Sequence, residues 1–70
     1  MQLSARNQIP GTVVRITKGV VTAEVVVKID GGHEIVSVIT MSSVKSLGLK
    51  KGSPVTAVIK STEVMLGVDH

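Results

Sequence analysis

The fold is decided by the stretch Val20-Val21-Thr22-Ala23-Glu24-Val25-Val26-Val27-Lys28-Ile29. Every odd position of residues 20–29 is apolar, while the even positions are mostly polar. This period of two is typical of a β-strand that has one face on a core. The residues that follow, Asp30-Gly31-Gly32, favour a hairpin turn, because glycine readily adopts the positive φ of short turns. The sequence therefore predicts a strand over residues 20–29 that leads through a turn into a second strand over residues 33–40.

Strand-forming residues dominate the rest of the chain as well. Val, Ile and Thr supply 26 of the 70 residues, and β-branched side chains favour strands over helices. Further strands are predicted over residues 11–17, 55–60 and 63–68. A turn at Lys18-Gly19 closes the first of these, and Val55, Ala57 and Ile59 are expected to point inward from the second.

One short helix is predicted over residues 42–47, between the third and fourth strands. Hydroxyl residues precede Val44 and Leu47, which are spaced to face the sheet together, and Gly48 ends the pattern. Five short strands with one helix after the third predict an all-β fold, a small five-stranded OB-like Greek-key barrel with one short helix. An SH3-like barrel is the alternative that periodicity leaves open.

The chain has the length of one domain, residues 1–70, and can bury only a small core. A domain of this size buries only about 60% of the surface of its unfolded chain. Two strands are apolar on both faces, with Ile35 and Ile39 opposite Val36 and Val38 in one and Val13 opposite Val14 and Ile16 in the other. Because so short a chain cannot cover both faces of its own sheet, we expect it to form a homo-oligomer.

Composition excludes several classes of function. The sequence contains no Cys, Phe, Trp or Tyr, so it has no thiolate metal site and none of the stacking side chains on which single-strand nucleic-acid binders depend. Eight Lys and Arg against five Asp and Glu give a net charge of +3, a modest excess that suits an anionic partner. Neither a signal peptide nor a membrane span is visible, so we expect a cytoplasmic protein with no membrane partner.

The residues that could carry catalysis are scattered. His33 lies beside the predicted hairpin and His70 at the C-terminal end, and neither has a nucleophile or carboxylate at a motif spacing. The carboxylates are also dispersed, and no helix follows Asp30-Gly31-Gly32 to form a phosphate loop. The sequence therefore predicts that the protein is not an enzyme.

Two short polar clusters have a different character. Ser4-Ala5-Arg6-Asn7 precedes the first predicted strand, and Lys60-Ser61-Thr62 follows the fourth. Each combines a cation with hydroxyl and backbone N–H donors, which is the environment that a tetrahedral dianion requires.

These clusters belong to longer stretches with a family likeness. Ser4-Ala5-Arg6-Asn7-Gln8 with Gly11, then Lys18-Gly19-Val20-Val21-Thr22-Ala23-Glu24-Val25, then Thr56-Ala57-Val58-Ile59-Lys60-Ser61-Thr62-Glu63-Val64-Met65 occur in the order and spacing of one family. In these stretches the sequence resembles the molbindin (Mop) family, small molybdate- and tungstate-binding proteins related to TOBE domains. The resemblance covers essentially the whole chain and implies a single Mop domain over residues 1–70.

The resemblance implies a fold, an assembly and a ligand. The fold is an OB-like barrel, and the assembly of single-domain members is a hexamer built as a trimer of dimers. The ligand is molybdate or tungstate, with no organic cofactor and no directly bound metal ion, held between subunits for storage or buffering. The implied oxyanion-binding residues are Ser4, Arg6, Lys60 and Ser61, completed by Thr40 of a neighbouring subunit.

Two other functions remain as alternatives. One is an OB-type nucleic-acid-binding module, which the net charge and the barrel favour and the missing aromatic residues oppose. The other is a structural assembly module whose anion site is incidental.

Overall fold

A computed structural model of the protein describes residues 1–69. His70, expected at a solvated terminus, lies outside the described residues. The regular elements are β1 (Asn7–Lys18), β2 (Thr22–Ile29), β3 (Glu34–Thr40), helix α1 (Met41–Leu47) and β4 (Pro54–Ile59), with 3₁₀ turns at Asp30–Gly32 and Ser61–Glu63. No helix among residues 1–69 combines the length and the apolar character needed to cross a membrane.

The four strands form one curled antiparallel sheet in the order β3-β2-β1-β4. β1, β2 and β3 follow one another as neighbours, and β4 returns after the helix to lie on the free side of β1. This is the spatial order of a Greek key. The mostly β, OB-like prediction and the predicted helix are therefore confirmed.

The prediction of a fifth strand over residues 63–68 is wrong. A 3₁₀ turn occupies Ser61–Glu63, and residues 64–69 form no strand. Met65 and Leu66 are 91% and 95% exposed. The alternation of this segment is strand-like, but a strand also needs a hydrogen-bonding neighbour, and within residues 1–69 the tail has none. The sheet is consequently four-stranded, with β3 and β4 as its edges.

A β-bulge corrects the prediction for the first strand. Val13 pairs with Val27, but the next pair joins Arg15 to Val26, so Val14 is an extra residue on β1. The bulge reverses the alternation, and Val13 and Ile16 therefore both pack into the core instead of lying on opposite faces. Strict period-two counting cannot detect such an insertion.

The core is built mainly from small branched side chains. The buried members of its main cluster are Val13, Ala23, Val25, Val27 and Val44. Val26, at an even position of β2, is buried as well, with 1% of its surface exposed. Of the positions predicted to face the core, Ala23, Val25, Val27 and Ile29 do so, whereas Val21 is 70% exposed. Val21 lies in the turn that precedes β2, where the Gly19 N–H donates to the Thr22 carbonyl at 2.8 Å.

The helix packs on the core through Val44, which is buried, whereas Leu47 is 68% exposed. The prediction that both face the sheet is therefore wrong for Leu47. The helix ends at Gly48, whose φ of 64° is left-handed, and this turn brings Leu49 back to donate its N–H to the Val44 carbonyl. Leu49 then packs against the core near Val44.

The two edge strands border an open apolar groove of about 760 Å³. Val36 and Val38 of β3 and Val58 of β4 line it, with 60%, 66% and 44% of their surfaces exposed. The predicted second apolar face of the residue 33–40 strand is thus uncovered in the single chain.

Candidate functional site

The two polar clusters meet at one end of the sheet. β1 and β4 are antiparallel, and the last pair of their ladder joins Asn7 to Ile59. Arg6 comes immediately before this pair, and Lys60 immediately after it. The pairing of β1 with β4 therefore brings together two segments that are more than fifty residues apart in the sequence.

Side-chain amides hold the N-terminal segment at this end. Asn7 Nδ2 donates to the Ile59 carbonyl at 3.2 Å, and Gln8 Nε2 donates to the Ala5 carbonyl at 2.7 Å. The first bond connects the two clusters, and the second turns the segment back on itself. We call residues 1–6 the N-terminal arm.

The C-terminal cluster begins where β4 ends. Val55, Ala57 and Ile59 are half-buried as predicted, while Lys60 is exposed. A 3₁₀ turn follows, in which the Glu63 N–H donates to the Lys60 carbonyl at 2.9 Å. Lys60 and Glu63 both line the groove between the edge strands, so a cation and a carboxylate follow the end of β4 beside a mostly apolar surface.

The four side chains of these clusters that the resemblance assigns to an anion site, Ser4, Arg6, Lys60 and Ser61, are exposed in the single chain. Each provides N–H or O–H donors, and two of them are cations. Exposed donors bind a small anion weakly, because water competes for every hydrogen bond. In the single chain the four residues therefore form an open surface of donors and not a closed pocket.

Thr40 lies far from the other four residues in the same chain. Its neighbour Ile39 pairs with Ala23, which in turn pairs with Lys18, the last residue of β1. The two clusters lie at the first residue of this twelve-residue strand. Thr40 could therefore share a site with them only from another molecule, which is the arrangement that the resemblance implies.

Thr40 also has a local role that sequence reasoning missed. Its Oγ1 accepts a hydrogen bond from the Ser43 N–H at 3.0 Å and donates to Ser43 Oγ at 2.9 Å. Thr40 is thus the N-cap of α1, whereas the prediction gave the capping role to the serines of residues 42–47. The signal was available in the sequence. Threonine is a preferred N-cap residue, and Thr40 stands directly before the segment that forms α1.

A second cationic surface was also missed. Arg15, Lys18, Lys50 and Lys51 line an open groove of about 580 Å³ that has no carboxylate in its lining. Arg15 and Lys18 come from β1 and the two other lysines from the turn before β4, so only the fold brings them together. This surface offers diffuse attraction for anions at some distance from the two clusters.

The other titratable residues of the described part of the chain offer no metal site. His33 is exposed directly after the 3₁₀ turn that ends β2. Within residues 1–69, no group of three or more His, Asp or Glu side chains is arranged to hold a metal ion.

Comparison with known proteins identifies the family of this chain. Residues 3–66 match the family model of the TOBE domain. The chain is 58% identical over 66 residues to molybdenum-pterin-binding protein 1 of Clostridium pasteurianum, covering 94% of this chain and 97% of that protein.

Two solved structures have the same fold. A molybdate-binding protein from Sporomusa ovata superposes with a TM-score of 0.90 at 41% identity, covering 97% of this chain and all of that one. The cytoplasmic molybdate-binding protein ModG, solved with molybdate bound, gives a TM-score of 0.94 at 49% identity. It covers 99% of this chain, which spans 49% of the ModG chain.

The class is thus a TOBE domain with an OB-like fold, and the names of these relatives describe binding proteins. More particularly, the chain belongs to the molbindin (Mop) family.

The capping bond of Thr40 predicts an effect that needs no ligand. Thr40→Ala should lower the free energy of unfolding by about 1 kcal/mol, the usual cost of removing an N-cap hydroxyl. Thr40→Ser should retain most of the stability, and Ser42→Ala, at an exposed neighbouring position, is the matched control. Denaturant unfolding in oxyanion-free buffer measures all three, and a Thr40→Ala variant as stable as the wild type would show that the cap contributes nothing.

Proposed function

We propose that this protein, as a single Mop domain over residues 1–70, reversibly binds molybdate or tungstate without transforming it. The observation that carries the proposal is the meeting of two donor clusters at the Asn7–Ile59 pair. Support comes from relatives that are named for binding molybdenum-pterin or molybdate. A cytoplasmic store or buffer of the oxyanion is the corresponding role, and ModG is described as cytoplasmic.

The chemistry of the donor set favours a fully ionised tetrahedral anion. Molybdate carries two negative charges and no proton at neutral pH, so it can accept hydrogen bonds at every oxygen. Ser4, Arg6, Lys60 and Ser61 supply donors and two positive charges. Monohydrogen phosphate brings an O–H that needs an acceptor, and an unmade buried hydrogen bond costs about 1–3 kcal/mol. Sulfate also has no proton, so only its size distinguishes it from molybdate. Tungstate nearly matches molybdate in size and charge, so a donor-only site discriminates little between these two anions.

The inorganic anion is proposed as the ligand in preference to a pterin complex. A pterin is a flat ring system that proteins hold by stacking and by paired hydrogen bonds, and the sequence has no aromatic residue. The two clusters offer separate N–H and O–H donors where β1 and β4 meet. Such donors suit the four oxygens of a small anion. Protein purified from cells and then denatured should release molybdenum or tungsten without a fluorescent pterin.

The site requires more than one copy of the chain. The four donors are exposed, and Thr40 lies at the opposite end of β1. The groove between β3 and β4 exposes apolar side chains, as does the tail at Met65 and Leu66. Burying such surfaces against other copies removes apolar area from water. We therefore propose that the protein is a homo-oligomer, a hexamer built as a trimer of dimers, with the anion between subunits.

One observation favours an OB-type nucleic-acid-binding module as the second candidate. The groove lined by Arg15, Lys18, Lys50 and Lys51 could follow a phosphate backbone. The absence of aromatic residues opposes binding to single strands, since no base could stack on the surface. Titration with single-stranded RNA at increasing salt separates the candidates, because backbone binding weakens steeply with ionic strength.

Selectivity tests the donor-only character of the site. Molybdate and tungstate should raise the melting temperature at concentrations at which phosphate has no effect, because a ligand that binds only the native state stabilises it. Thermal unfolding at a series of anion concentrations measures this. Phosphate that competes as well as tungstate would contradict the prediction and point to an acceptor in the site, for which Glu63 is the nearest candidate in sequence.

Lys60 tests the position of the site. Lys60→Ala should weaken molybdate binding about ten- to a hundred-fold, since a charge-assisted hydrogen bond contributes about 1.5–3 kcal/mol. The fold should survive, because the side chain is exposed and Lys60 and Arg6, two like charges, flank the same strand pair. Isothermal titration calorimetry measures the affinity.

Lys51→Ala is the matched control for Lys60→Ala. Lys51 is also an exposed lysine, but it lines the second cationic groove, so its removal should leave the affinity nearly unchanged. Equal losses from the two substitutions would mean that molybdate responds to the overall positive charge, and the proposed site would have to be abandoned.

Assembly is tested by light scattering and by dilution. The protein should scatter as a hexamer at micromolar concentration and lose its fold as it dissociates, because the single chain leaves its apolar groove open. Val38→Glu places a charge in the middle of that groove and should weaken the assembly, whereas Val20→Glu, in a turn where Val20 is 97% exposed, should not. A folded wild-type monomer at micromolar concentration would contradict the proposal.

A further inference from the structure

Asn7 makes a side-chain hydrogen bond that, unlike the others among the described residues, joins two residues far apart in the sequence. Its amide connects the first residue of β1 to the carbonyl of Ile59, the last residue of β4, at 3.2 Å. The other side-chain bonds among residues 1–69 join residues only three positions apart. The Asn7 bond therefore ties together two distant segments at the point where each leaves the sheet.

The two residues adjacent to this bond are the two cations of the proposed site. Arg6 precedes Asn7, and Lys60 follows Ile59. Two cations beside each other repel, by about 1 kcal/mol at a separation of 4 Å in water. Without an anion between them, this repulsion favours separation of the N-terminal arm from the end of β4. The bond from Asn7 to Ile59 opposes that separation.

We propose that Asn7 is a positioning residue for the oxyanion site. Its bond keeps the segment that carries Arg6 close to the segment that carries Lys60 before the anion binds. The inference rests on the proposed function and names a residue outside the set of donors assigned to the ligand. Asn7 acts through the backbone that carries Arg6 and Lys60, and it is not itself a ligand-binding group in this inference.

The chemistry of the asparagine side chain suits this role. Its carboxamide donates an N–H to the Ile59 carbonyl without adding charge beside the two cations. An aspartate at this position could not donate at neutral pH, and its charge would compete with the anion for Arg6 and Lys60. Asn7 is half-buried, so water competes less for its hydrogen bond than for those of the exposed side chains.

Gln8 supports the same geometry from the other side of the strand. Successive side chains of a strand point to opposite faces, and Gln8 Nε2 donates to the Ala5 carbonyl within the arm at 2.7 Å. Gln8 is exposed, and its bond spans only three residues. It shapes the arm locally, whereas Asn7 connects the arm to the opposite cluster.

The test is a double-mutant cycle that pairs Asn7 with Lys60, read by calorimetric titration with sodium molybdate. Asn7→Ala should weaken binding about three- to ten-fold in the wild-type background, the range expected from one neutral hydrogen bond. In the Lys60→Ala background, the same substitution should cause little further loss, because there is then no second cation for Asn7 to align. Asn7→Gln, which keeps the N–H donor, should recover part of the affinity.

Ser53→Ala is the matched structural control. Ser53 Oγ accepts a hydrogen bond from the Lys50 N–H at 3.0 Å in the turn before β4, so its loss also removes a bond between a side chain and the backbone. It should lower the melting temperature without changing the affinity for molybdate. If Asn7→Ala fails to fold, Asn7→Leu replaces it, since leucine has a similar size and no donor.

Three outcomes would overturn the inference. Unchanged affinity in Asn7→Ala would show that the bond does not position the site. Equal fold-losses from Asn7→Ala in the wild-type and Lys60→Ala backgrounds would show that Asn7 acts independently of Lys60. Wild-type protein that binds no molybdate would overturn the proposed function and this inference with it, whereas wild-type binding with an inert Asn7 would overturn this inference alone.

Discussion

The shape of the sheet depends on β1, which pairs with two different strands along its length. Its first half pairs with β4 and its second half with β2, and Gly11 and Thr12 belong to both ladders. At Gly11 the neighbouring strand comes so close that an added Cβ would lie 2.7 Å from the Lys28 carbonyl oxygen. Only glycine allows this approach. The sheet curls around β1, and its edges β3 and β4 consequently face each other across the apolar groove without closing it.

Because β1 pairs with β4 at one end and with β2 at the other, the proposed function links anion binding to assembly. The β1–β4 ladder brings the two cationic clusters to one end, while the helix cap at Thr40 lies at the other. In the proposed function, one chain thus carries the two parts of the site at opposite ends of β1. Copies that bring these ends together would enclose the anion and cover apolar surface at the same time. An anion that binds only the assembled form stabilises the assembly by mass action.

Much of the fold could be predicted from the sequence because its strands obey local rules. The alternation over β2, the glycine turn after it and the helix ended by Gly48 all depend on neighbouring residues, and all three are present. The failures involve partners that local patterns do not contain. The bulge at Val14 depends on how β1 fits β2. Leu49 packs against the core while Leu47 is exposed, and the tail around Leu66 has strand-like alternation without a neighbouring strand among the described residues.

The candidate site, like the fold, could be predicted from the sequence only in part. The clusters at residues 4–7 and 60–62 could be singled out because cations and hydroxyls lie together in the sequence. The resemblance to the molbindin family supplied the assignment of Ser4, Arg6, Lys60, Ser61 and Thr40 to an anion site. The Asn7 bond and the cationic groove at Arg15 and Lys51 could not be predicted, since each joins residues that only the folded chain makes neighbours.

Thr40 shows how one hydroxyl could serve both the helix and the anion. Its oxygen accepts the Ser43 N–H, which completes the cap, and its single proton is donated to Ser43 Oγ. In the proposed oligomer that proton would be given instead to an anion oxygen of the neighbouring site, and the backbone cap would remain intact. Ser43 Oγ would then lose a donor but keep its own O–H free to find another partner. The exchange replaces a neutral hydrogen bond with a charge-assisted one, which is the stronger of the two, so binding the anion need not unfold the start of α1.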